Sequence, residues 1–242
     1  MKSYSKILLV SAAILALLSC SKENPQNSEN AKRPVPELVD LGLSVKWGSF
    51  NLGASNPEEY GGYYQWAGTT DVTNKSIMLD WENCPYHIGP YEAFGWTKYI
   101  PLSYPLYWSG PGNPDDKTIL EPSDDAAQVK LGGKWRIPTY KEWTELLNNS
   151  TSEWTTLEGV SGRRFTSKKN GNSIFLPAVG RRKRGLLEDY GTKGYYCSSS
   201  LTPIDPHEAY CLYFDANCVE IEEHPIYDSY RYLGLPVRPV SK

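Results

Sequence analysis

Apolar and polar residues alternate along two stretches that lie near the two ends of the chain. The first runs from Val39 to Trp47, and the second runs from Leu233 to Val237. A period of two places the apolar side chains of a strand on one face. The segments LGLSVK and LGLPVR echo each other, and we predict that the two terminal strands lie close together in one sheet. Because Pro236 cannot donate to a strand ladder, we expect the last strand to be at an edge there.

Helical patterns are scarce, and the first is short. Asp124 or Asp125 is suited to cap a helix that runs through Leu131 and stops at Gly132-Gly133. The sequence therefore predicts one short helix in this region.

The stretch KWRIPTYKEWTELL predicts the second helix. Thr139 followed by Glu142 has the spacing of a capping box, and Trp143 and Leu146 then fall on one face. We expect Trp143 to pack this helix onto the sheet rather than to serve as a platform for a ligand.

Turn residues separate the remaining strands. Asn170-Gly171 predicts a hairpin between residues 164–166 and 173–176. Further strands are predicted at 194–200 and 209–214, with residues 218–221 returning alongside. The pattern therefore indicates an α+β fold that is strand-rich, with two short helices, long irregular loops and paired N- and C-terminal strands.

The first residues of the chain have the pattern of an export signal. Lys2 and Lys6 form a basic start, and the apolar run from Ile7 to Leu18 is too short to span a bilayer. The run ends in LLSC, which resembles the lipobox of bacterial lipoproteins, so Cys20 is the predicted lipidation site. An ordinary secretory signal with a chance cysteine is the alternative.

These features divide the chain into three predicted parts. Residues 1–19 are a lipoprotein signal peptide, residues 20–36 are the lipidated cysteine with a flexible tether, and residues 37–242 are a single domain. Removal of residues 1–19 deletes two lysines and changes the net charge from 25 − 28 = −3 to 23 − 28 = −5. A mildly acidic chain argues against a nucleic-acid partner.

Five blocks along the chain resemble a known family. They are VDLGLSVKWGSFNLGASNPEEYGGYYQWAG, GGKWRIPTYKEWTELL, NGNSIFLPAVG, GYYCSSS and GLPVRPV. In this order they resemble the Fibrobacter succinogenes major paralogous domain, a family abundant in lipoproteins of Bacteroidetes-type bacteria. The resemblance covers about Leu38 to Val240. Cys197 departs from it, because the family block usually has a tryptophan there.

The resemblance implies a C-type-lectin-like fold, similar to that of the formylglycine-generating (sulfatase-modifying) enzymes. It implies no established activity. Those enzymes use a redox-active cysteine pair late in the chain, which makes Cys211 and Cys218 the candidates for such chemistry. The same two cysteines could instead face each other across a hairpin as a disulfide, or remain buried thiols.

The region from Tyr60 to Trp108 is the best candidate for a binding surface, because it holds thirteen of the thirty-one aromatic residues. Flat aromatic faces suit the C–H surfaces of sugars and also anchor protein interfaces. Filling a satellite core is the alternative role for most of these rings. The candidate ligand-binding residues in loop-like sequence are Trp81, Tyr86, Tyr91, Trp96, Tyr107 and Trp108.

Charged residues give two weaker candidates. Arg181, Arg182 and Arg184 form a basic run that could bind an anionic group, although a solvated loop is the usual role of such a run. The stretch from Glu121 to Asp125 offers oxygen ligands for calcium, but helix capping explains the same acids. The three histidines have no metal-binding spacing, and we expect no metal or other cofactor.

Together these observations predict a lipid-anchored domain, exported and placed at the outer membrane and cell surface. We expect it to bind a glycan or a protein through its aromatic loops, without catalysis. A structural subunit of a surface assembly is one alternative. A formylglycine-generating-like enzyme that uses Cys211 and Cys218 is another.

Overall fold

The computed structural model describes residues 34–74, 76–89, 95–103, 112–203, 205–222 and 230–242. Predictions for the signal, Cys20 and most of the tether lie outside these residues. The described residues form one compact unit. No helix in the part of the chain that the structure describes is long and apolar enough to cross a membrane.

The described residues form two helices and mostly short strands. The helices are α1 (Ala126–Leu131) and α2 (Tyr140–Asn149). The strands are β1 (Leu38–Val39), β2 (Lys46–Gly48), β3 (Tyr63–Tyr64), β4 (Ser150–Leu157), β5 (Val160–Ser167), β6 (Ser173–Pro177), β7 (Arg181–Lys183), β8 (Leu186–Glu188), β9 (Gly194–Leu201), β10 (Ala209–Phe214), β11 (Val219–Glu222), β12 (Leu235–Pro236) and β13 (Val240–Ser241).

These strands pair into small antiparallel sheets. Three of the sheets have three strands, in the orders β1-β2-β13, β11-β10-β9 and β4-β5-β6, and two have two strands, β12-β3 and β7-β8. The predicted strand-rich α+β class is therefore confirmed.

The two ends of the chain meet in one sheet, as the echo between the terminal segments predicts. Val240 of β13 lies opposite Trp47 of β2. The LGLPVR segment itself pairs elsewhere, because Pro236 of β12 lies opposite Tyr63 of β3. The pairing of the chain ends is confirmed, whereas the partner expected for LGLPVR was wrong.

The alternating stretch from Val39 to Trp47 is a hairpin rather than one strand. Val39 of β1 pairs with Trp47 of β2. The chain reverses because Gly42 has a φ of +68°, and the carboxylate of Asp40 accepts a hydrogen bond of 2.7 Å from the Gly42 N–H. Burial still alternates within the turn, since Leu41 and Val45 are buried. The period of two therefore reflects burial here without continuous strand geometry.

Both predicted helices form where the caps place them. Asp125 accepts hydrogen bonds from the backbone of α1, which ends at Gly132. Thr139 and Glu142 make the reciprocal capping box of α2. Trp143 is fully buried and its indole N–H donates to the Cys197 carbonyl at 3.1 Å. The prediction that Trp143 is a core residue is confirmed.

The later strands also follow the predicted pattern. The β5–β6 hairpin turns at Gly171, which has a φ of +78°. Strands β9, β10 and β11 form at the predicted segments. Strands β3, β4, β7, β8 and β13 were missed, because they are very short or carry many polar residues without clear alternation.

Two hydrophobic clusters lie on the two faces of β9. Tyr195 points into the first core cluster, which contains Trp66, Trp96 and Tyr99. Tyr196 points into the second, which packs around Trp143. The first core cluster draws on the aromatic-rich segment, and it positions the candidate site.

Candidate functional site

Aromatic and imidazole rings pack around the half-buried indole of Trp81. Its ring centroid lies 4.8 Å from that of Tyr232, 5.1 Å from Tyr230, 5.1 Å from His87, 5.2 Å from His207 and 6.0 Å from Trp96. Most of these contacts are edge-to-face, a favourable geometry for aromatic pairs. We call the group of Trp81, His87, Trp96, His207, Tyr230 and Tyr232 the Trp81 cluster.

Backbone bonds between distant segments hold the Trp81 cluster together. His87 and Trp96 form an isolated antiparallel bridge. The N–H of Arg231 donates to the His207 carbonyl at 2.9 Å, which joins the segment before β10 to the segment before β12. His87 Nδ1 also lies 3.1 Å from the Trp81 carbonyl. The rings are therefore positioned by main-chain contacts as well as by packing.

The side chain of Arg231 lies within the Trp81 cluster and is fully buried. The centre of its guanidinium is 3.7 Å from the Trp96 ring centroid and 4.6 Å from that of Trp66, a stacked cation–π arrangement. Its Nη1 donates to the Pro206 carbonyl at 2.9 Å. Burial lowers the pKa of Arg231 to about 10, so the guanidinium is still a cation at neutral pH.

A polar network adjoins the aromatic rings. The hydroxyl of Tyr99 donates to Asp124 Oδ2 at 2.6 Å, and the hydroxyl of Tyr86 donates to Asp124 Oδ1 at 2.8 Å. Lys98 Nζ lies 2.5 Å from Asp124 Oδ2 and 2.5 Å from Glu121 Oε2. We call these five residues the Asp124 network. The Tyr99 ring connects it to the Trp81 cluster, because its centroid is 5.8 Å from the Arg231 guanidinium.

Backbone strain accompanies the Asp124 network. Tyr86 has a φ of +64° and Tyr99 has a φ of +61°. Bulky residues rarely adopt this left-handed region, and strain of this kind is concentrated at functional sites. Both strained tyrosines direct their hydroxyls to the same carboxylate. We take this region as the candidate site because its backbone is strained and because two hydroxyls bind the same carboxylate.

The pKa shifts within the Asp124 network keep each group in the charge state that it ordinarily has at neutral pH. Burial opposes the charge of Lys98, but hydrogen bonds to Asp124 and Glu121 outweigh it and raise the pKa of the ammonium. Burial likewise opposes the charge of Asp124, and bonds from Lys98, Tyr99 and Tyr86 outweigh it and lower the pKa of the carboxyl. Burial raises the pKa of the Tyr86 hydroxyl. A fixed cation, a fixed carboxylate and neutral phenols suit binding better than proton transfer near neutral pH.

The predicted aromatic residues have different outcomes. Trp81 is half-buried at the centre of the Trp81 cluster, and Tyr86 is half-buried in the Asp124 network. Trp96 is fully buried under Arg231, so its role as an exposed ligand platform was wrong. Tyr91, Tyr107 and Trp108 lie outside the described residues.

The basic run is part of the folded structure rather than a solvated loop. Arg181 is buried, lies 4.8 Å from the Tyr195 ring centroid and pairs with Glu188 at 3.1 Å. Arg182 is also buried, 5.8 Å from the Tyr63 ring centroid. Arg184 alone of these three is exposed. The run therefore does not present three arginines to an anionic ligand, because two of them pack within β7.

The register of the β10–β11 hairpin separates the two late cysteines. Cys211 lies opposite Glu222, and Cys218 lies in the turn, beyond the last pair of Phe214 and Val219. Both cysteines are thiols. The alternative in which they face each other across the hairpin does not fit this register, because three residue pairs separate Cys211 from the turn.

The acids considered for calcium have other partners. Asp125 caps α1, and its second oxygen accepts a hydrogen bond of 2.8 Å from the Ile137 N–H. Asp124 accepts hydrogen bonds from the hydroxyls of Tyr86 and Tyr99. Within the described ranges, no group of three or more histidine, cysteine, aspartate or glutamate side chains could hold a metal ion.

A separate shallow groove of about 270 Å³ lies away from the aromatic rings. Its walls are Val39, Leu157, Ile174 and Phe175, with Arg164 as the one charged lining residue. Its lining is mostly apolar, with Ser49, Ser173 and a single cation, and it lacks the converging donors and acceptors of the Asp124 network. It is therefore the weaker candidate.

The sequence reasoning missed the residues that complete the site. His207, Arg231 and Tyr232 come from segments more than a hundred residues after Trp81. The alternation of tyrosine and arginine in SYRYLG indicated a packed segment. The residues against which this segment packs could not be deduced from the sequence. Lys98 and Asp124 carried no signal of their pairing.

No known family model matches this chain, and no curated protein or solved structure matches it either. The assignment of a function therefore depends on the residues and their geometry.

Proposed function

We propose that this chain is a lipid-anchored binding domain with a C-type-lectin-like fold that recognises a glycan at the cell surface. The observation that carries the proposal is the half-buried Trp81 indole at the centre of the Trp81 cluster, beside the Asp124 network. Sugar recognition combines aromatic faces for C–H surfaces with fixed polar groups for hydroxyls. The family resemblance, the lipobox and the paired chain ends support the anchor and the fold.

The rings and the polar groups offer complementary chemistry. Edge-to-face packing against its neighbours holds the Trp81 ring in place, so little rotamer freedom is lost when a ligand binds. Lys98 and Glu121 are charged and adjoin each other at the accessible side of the Asp124 network, where the Glu121 side chain is 40% exposed. Hydroxyl groups of a sugar can both donate to and accept from such a pair.

The proposal can be tested by measuring binding of the full chain, purified in mild detergent, to an array of glycans with calcium and with chelator. We expect binding that does not depend on calcium. The Trp81→Ala variant should lose affinity by roughly tenfold or more. The matched control is Trp154→Ala, because Trp154 is also half-buried but packs against the second core cluster.

Three outcomes would contradict the proposal in different ways. Equal loss of binding in the Trp81 and Trp154 variants would indicate general destabilisation. Binding to host matrix proteins without any glycan would change the ligand class. A stoichiometric partner in pull-downs with no glycan affinity would favour a structural subunit of a surface assembly.

The placement of the cysteines favours binding over formylglycine-generating-like chemistry. Cys211 is fully buried, and Cys218 lies in the β10–β11 turn. Burial and the neighbouring Asp215 charge raise the pKa of the Cys218 thiol, whereas nucleophilic thiols have a lowered pKa. This pair thus lacks the properties of a reactive dithiol.

The proposed location follows from the start of the chain. Lys22 and Glu23 follow Cys20 after Ser21 and resemble the acidic export tags of such lipoproteins. Protease treatment of intact cells should therefore degrade the domain. Resistance in intact cells together with digestion after lysis would contradict surface display.

A further inference from the structure

Two donor groups of Arg231 have no acceptor among the described residues. Its side chain is fully buried, and both Nε and Nη2 are without a hydrogen-bond partner among the described residues. Only Nη1 is bonded, to the Pro206 carbonyl. Buried polar groups nearly always have partners, so a pair of empty donors on one charged side chain requires an explanation.

The two empty donors lie on the same edge of the guanidinium. The N–H of Nε and one N–H of Nη2 point in parallel, and this fork matches the two oxygens of a carboxylate. Stacking on Trp96 at 3.7 Å and the bond from Nη1 to Pro206 fix the plane of the group. The packing around Arg231 thus fixes the edge of the guanidinium that can bind a carboxylate, and no described residue occupies that edge.

The other fully buried arginine provides a comparison within the same molecule. Arg238 uses all three nitrogens, with Nε donating to Asn51 Oδ1 at 3.0 Å, Nη1 to the Gly48 carbonyl at 3.0 Å and Nη2 to the Phe175 carbonyl at 2.7 Å. Every guanidinium nitrogen of Arg238 therefore has an acceptor, whereas two of the three guanidinium nitrogens of Arg231 have none among the described residues.

No carboxylate of the described residues contacts the Arg231 guanidinium. The charge of Asp115 favours the cationic form of Arg231, but the Asp115 oxygens accept hydrogen bonds from the backbone N–H groups of Tyr99 and Ile100. Asp205 is bonded to His207 Nδ1 at 2.7 Å. A buried cation without a contacting anion is costly, and a bound anion would remove that cost.

We infer that the Nε–Nη2 edge of Arg231 binds a carboxylate of the ligand, and that the glycan therefore contains an acidic, uronate-type sugar. The inference rests on the proposed glycan binding and deepens it by naming the ligand class. The sugar ring packs against Trp81, and its carboxylate passes between the rings to Arg231. Because the guanidinium is fully buried, the Trp81 cluster has to open for the carboxylate to enter, and the environment of Trp81 changes on binding.

The test compares each acidic ligand with its own neutral form. Oligosaccharides of galacturonate and of glucuronate are titrated into the full chain, followed by their methyl esters, with calorimetry and tryptophan fluorescence as readouts. The acid should bind roughly tenfold or more tightly than the ester, since the ester lacks the charge and one acceptor. Acetate should compete with the acid and not with the ester.

The Arg231→Lys variant keeps the positive charge and removes the fork. We expect its preference for the acid over the ester to be several-fold smaller than that of the wild type, because the charge remains and the two parallel donors are lost, while Arg184→Lys, on an exposed arginine, keeps the full preference. Thermal unfolding shows whether the Arg231 variant is folded. If it does not fold, the inference is tested in the wild-type chain alone, by the comparison of acid with ester and by the acetate competition.

The results that would overturn the inference are distinct from those that would overturn the proposed function. Equal binding of acid and ester, unchanged in Arg231→Lys, overturns the inference and leaves glycan binding intact. Binding of neither form overturns the inference, and the absence of any binding to the glycan array overturns the proposed function as well. Binding of a peptide with a free carboxyl terminus, but not of its amide or of any sugar, overturns the acidic-glycan assignment and moves the carboxylate to a protein ligand.

Discussion

At the scale of single residues, Arg238 joins three separate parts of the chain. Its guanidinium donates to Asn51 Oδ1, to the Gly48 carbonyl in β2 and to the Phe175 carbonyl in β6. It is fully buried, and its three acceptors would be left unfilled in its absence. We regard this residue as a structural link between the terminal sheet and the β4-β5-β6 sheet.

Replacing this arginine should weaken the whole fold. Arg238→Lys keeps a cation but can satisfy fewer of the three acceptors, so we expect the free energy of unfolding to fall by about 3 kcal/mol. Urea denaturation measures the change, and Arg184→Lys is the control because Arg184 is exposed. A loss no larger than that of the control would disprove the structural role.

Asp215 predicts a defined pH dependence. Hydrogen bonds from the N–H groups of Cys218 at 2.9 Å and Asn217 at 2.7 Å lower its pKa to about 2. A carboxyl with a lowered pKa in the folded state stabilises the fold above its unfolded pKa of about 4. That stabilisation is lost as the pH falls from about 4 to about 2.

The Asp215→Ala variant should therefore be less stable than the wild type at pH 7, by about 1 kcal/mol given its exposure to solvent. The difference should shrink between pH 4 and pH 2 and vanish below that range. Urea denaturation at several pH values measures it. A difference that stays constant down to pH 2 would show that the carboxylate charge is not responsible.

At the scale of elements, the α2 helix begins at a complete capping box. Thr139 Oγ1 accepts from the Glu142 N–H at 3.3 Å, and Glu142 Oε2 accepts from the Thr139 N–H at 2.8 Å. The same glutamate pairs with Arg136, whose Nη1 lies 2.7 Å from Glu142 Oε2. The cap thus connects the start of the helix to the preceding segment.

Removing the capping hydroxyl should destabilise the protein by about 1 kcal/mol. Thr139→Ala removes it, and Thr139→Ser retains it as the matched control. Thermal unfolding followed by circular dichroism compares the two. If the alanine and serine variants unfold at the same temperature, the hydroxyl bond does not contribute to stability.

At the scale of the whole molecule, the thiols report on the integrity of the fold. Four cysteines lie among residues 34–242, and Cys84, Cys197 and Cys211 are buried whereas Cys218 is partly exposed. Burial raises the pKa of Cys84 and of Cys197 to about 12, so both should be unreactive at neutral pH. All three buried thiols lie in the first core cluster, which protects them together.

A thiol-reactive chromophore should therefore label one cysteine of the Pro34–Lys242 fragment slowly in the native state. All four should react in denaturant without a reducing agent. Cys218→Ser should abolish the native signal. Fewer than four reactive thiols in denaturant would demonstrate a disulfide, and rapid labelling of a pair in the native state would revive the redox-enzyme alternative.

Local sequence signals determined much of this architecture. The capping residues Asp125 and Thr139, the Asn170-Gly171 turn and the strand patterns of β9 and β10 were readable because each depends on bonds or burial within a few neighbouring residues. The α+β class followed from these elements. The Val39–Trp47 stretch shows the limit, since alternate burial there comes from a tight turn instead of a continuous strand.

Only the tertiary structure decided which aromatic residues are accessible and what lies beside them. Trp81 and Trp96 look alike in the sequence, yet one is partly exposed and the other lies beneath Arg231. His207 and Arg231 reach Trp81 across more than a hundred residues, and contacts at that distance depend on how the whole chain packs. The unfilled edge of Arg231 arises from the same packing, because whether a buried donor finds an acceptor is decided by the neighbours that the fold brings to it.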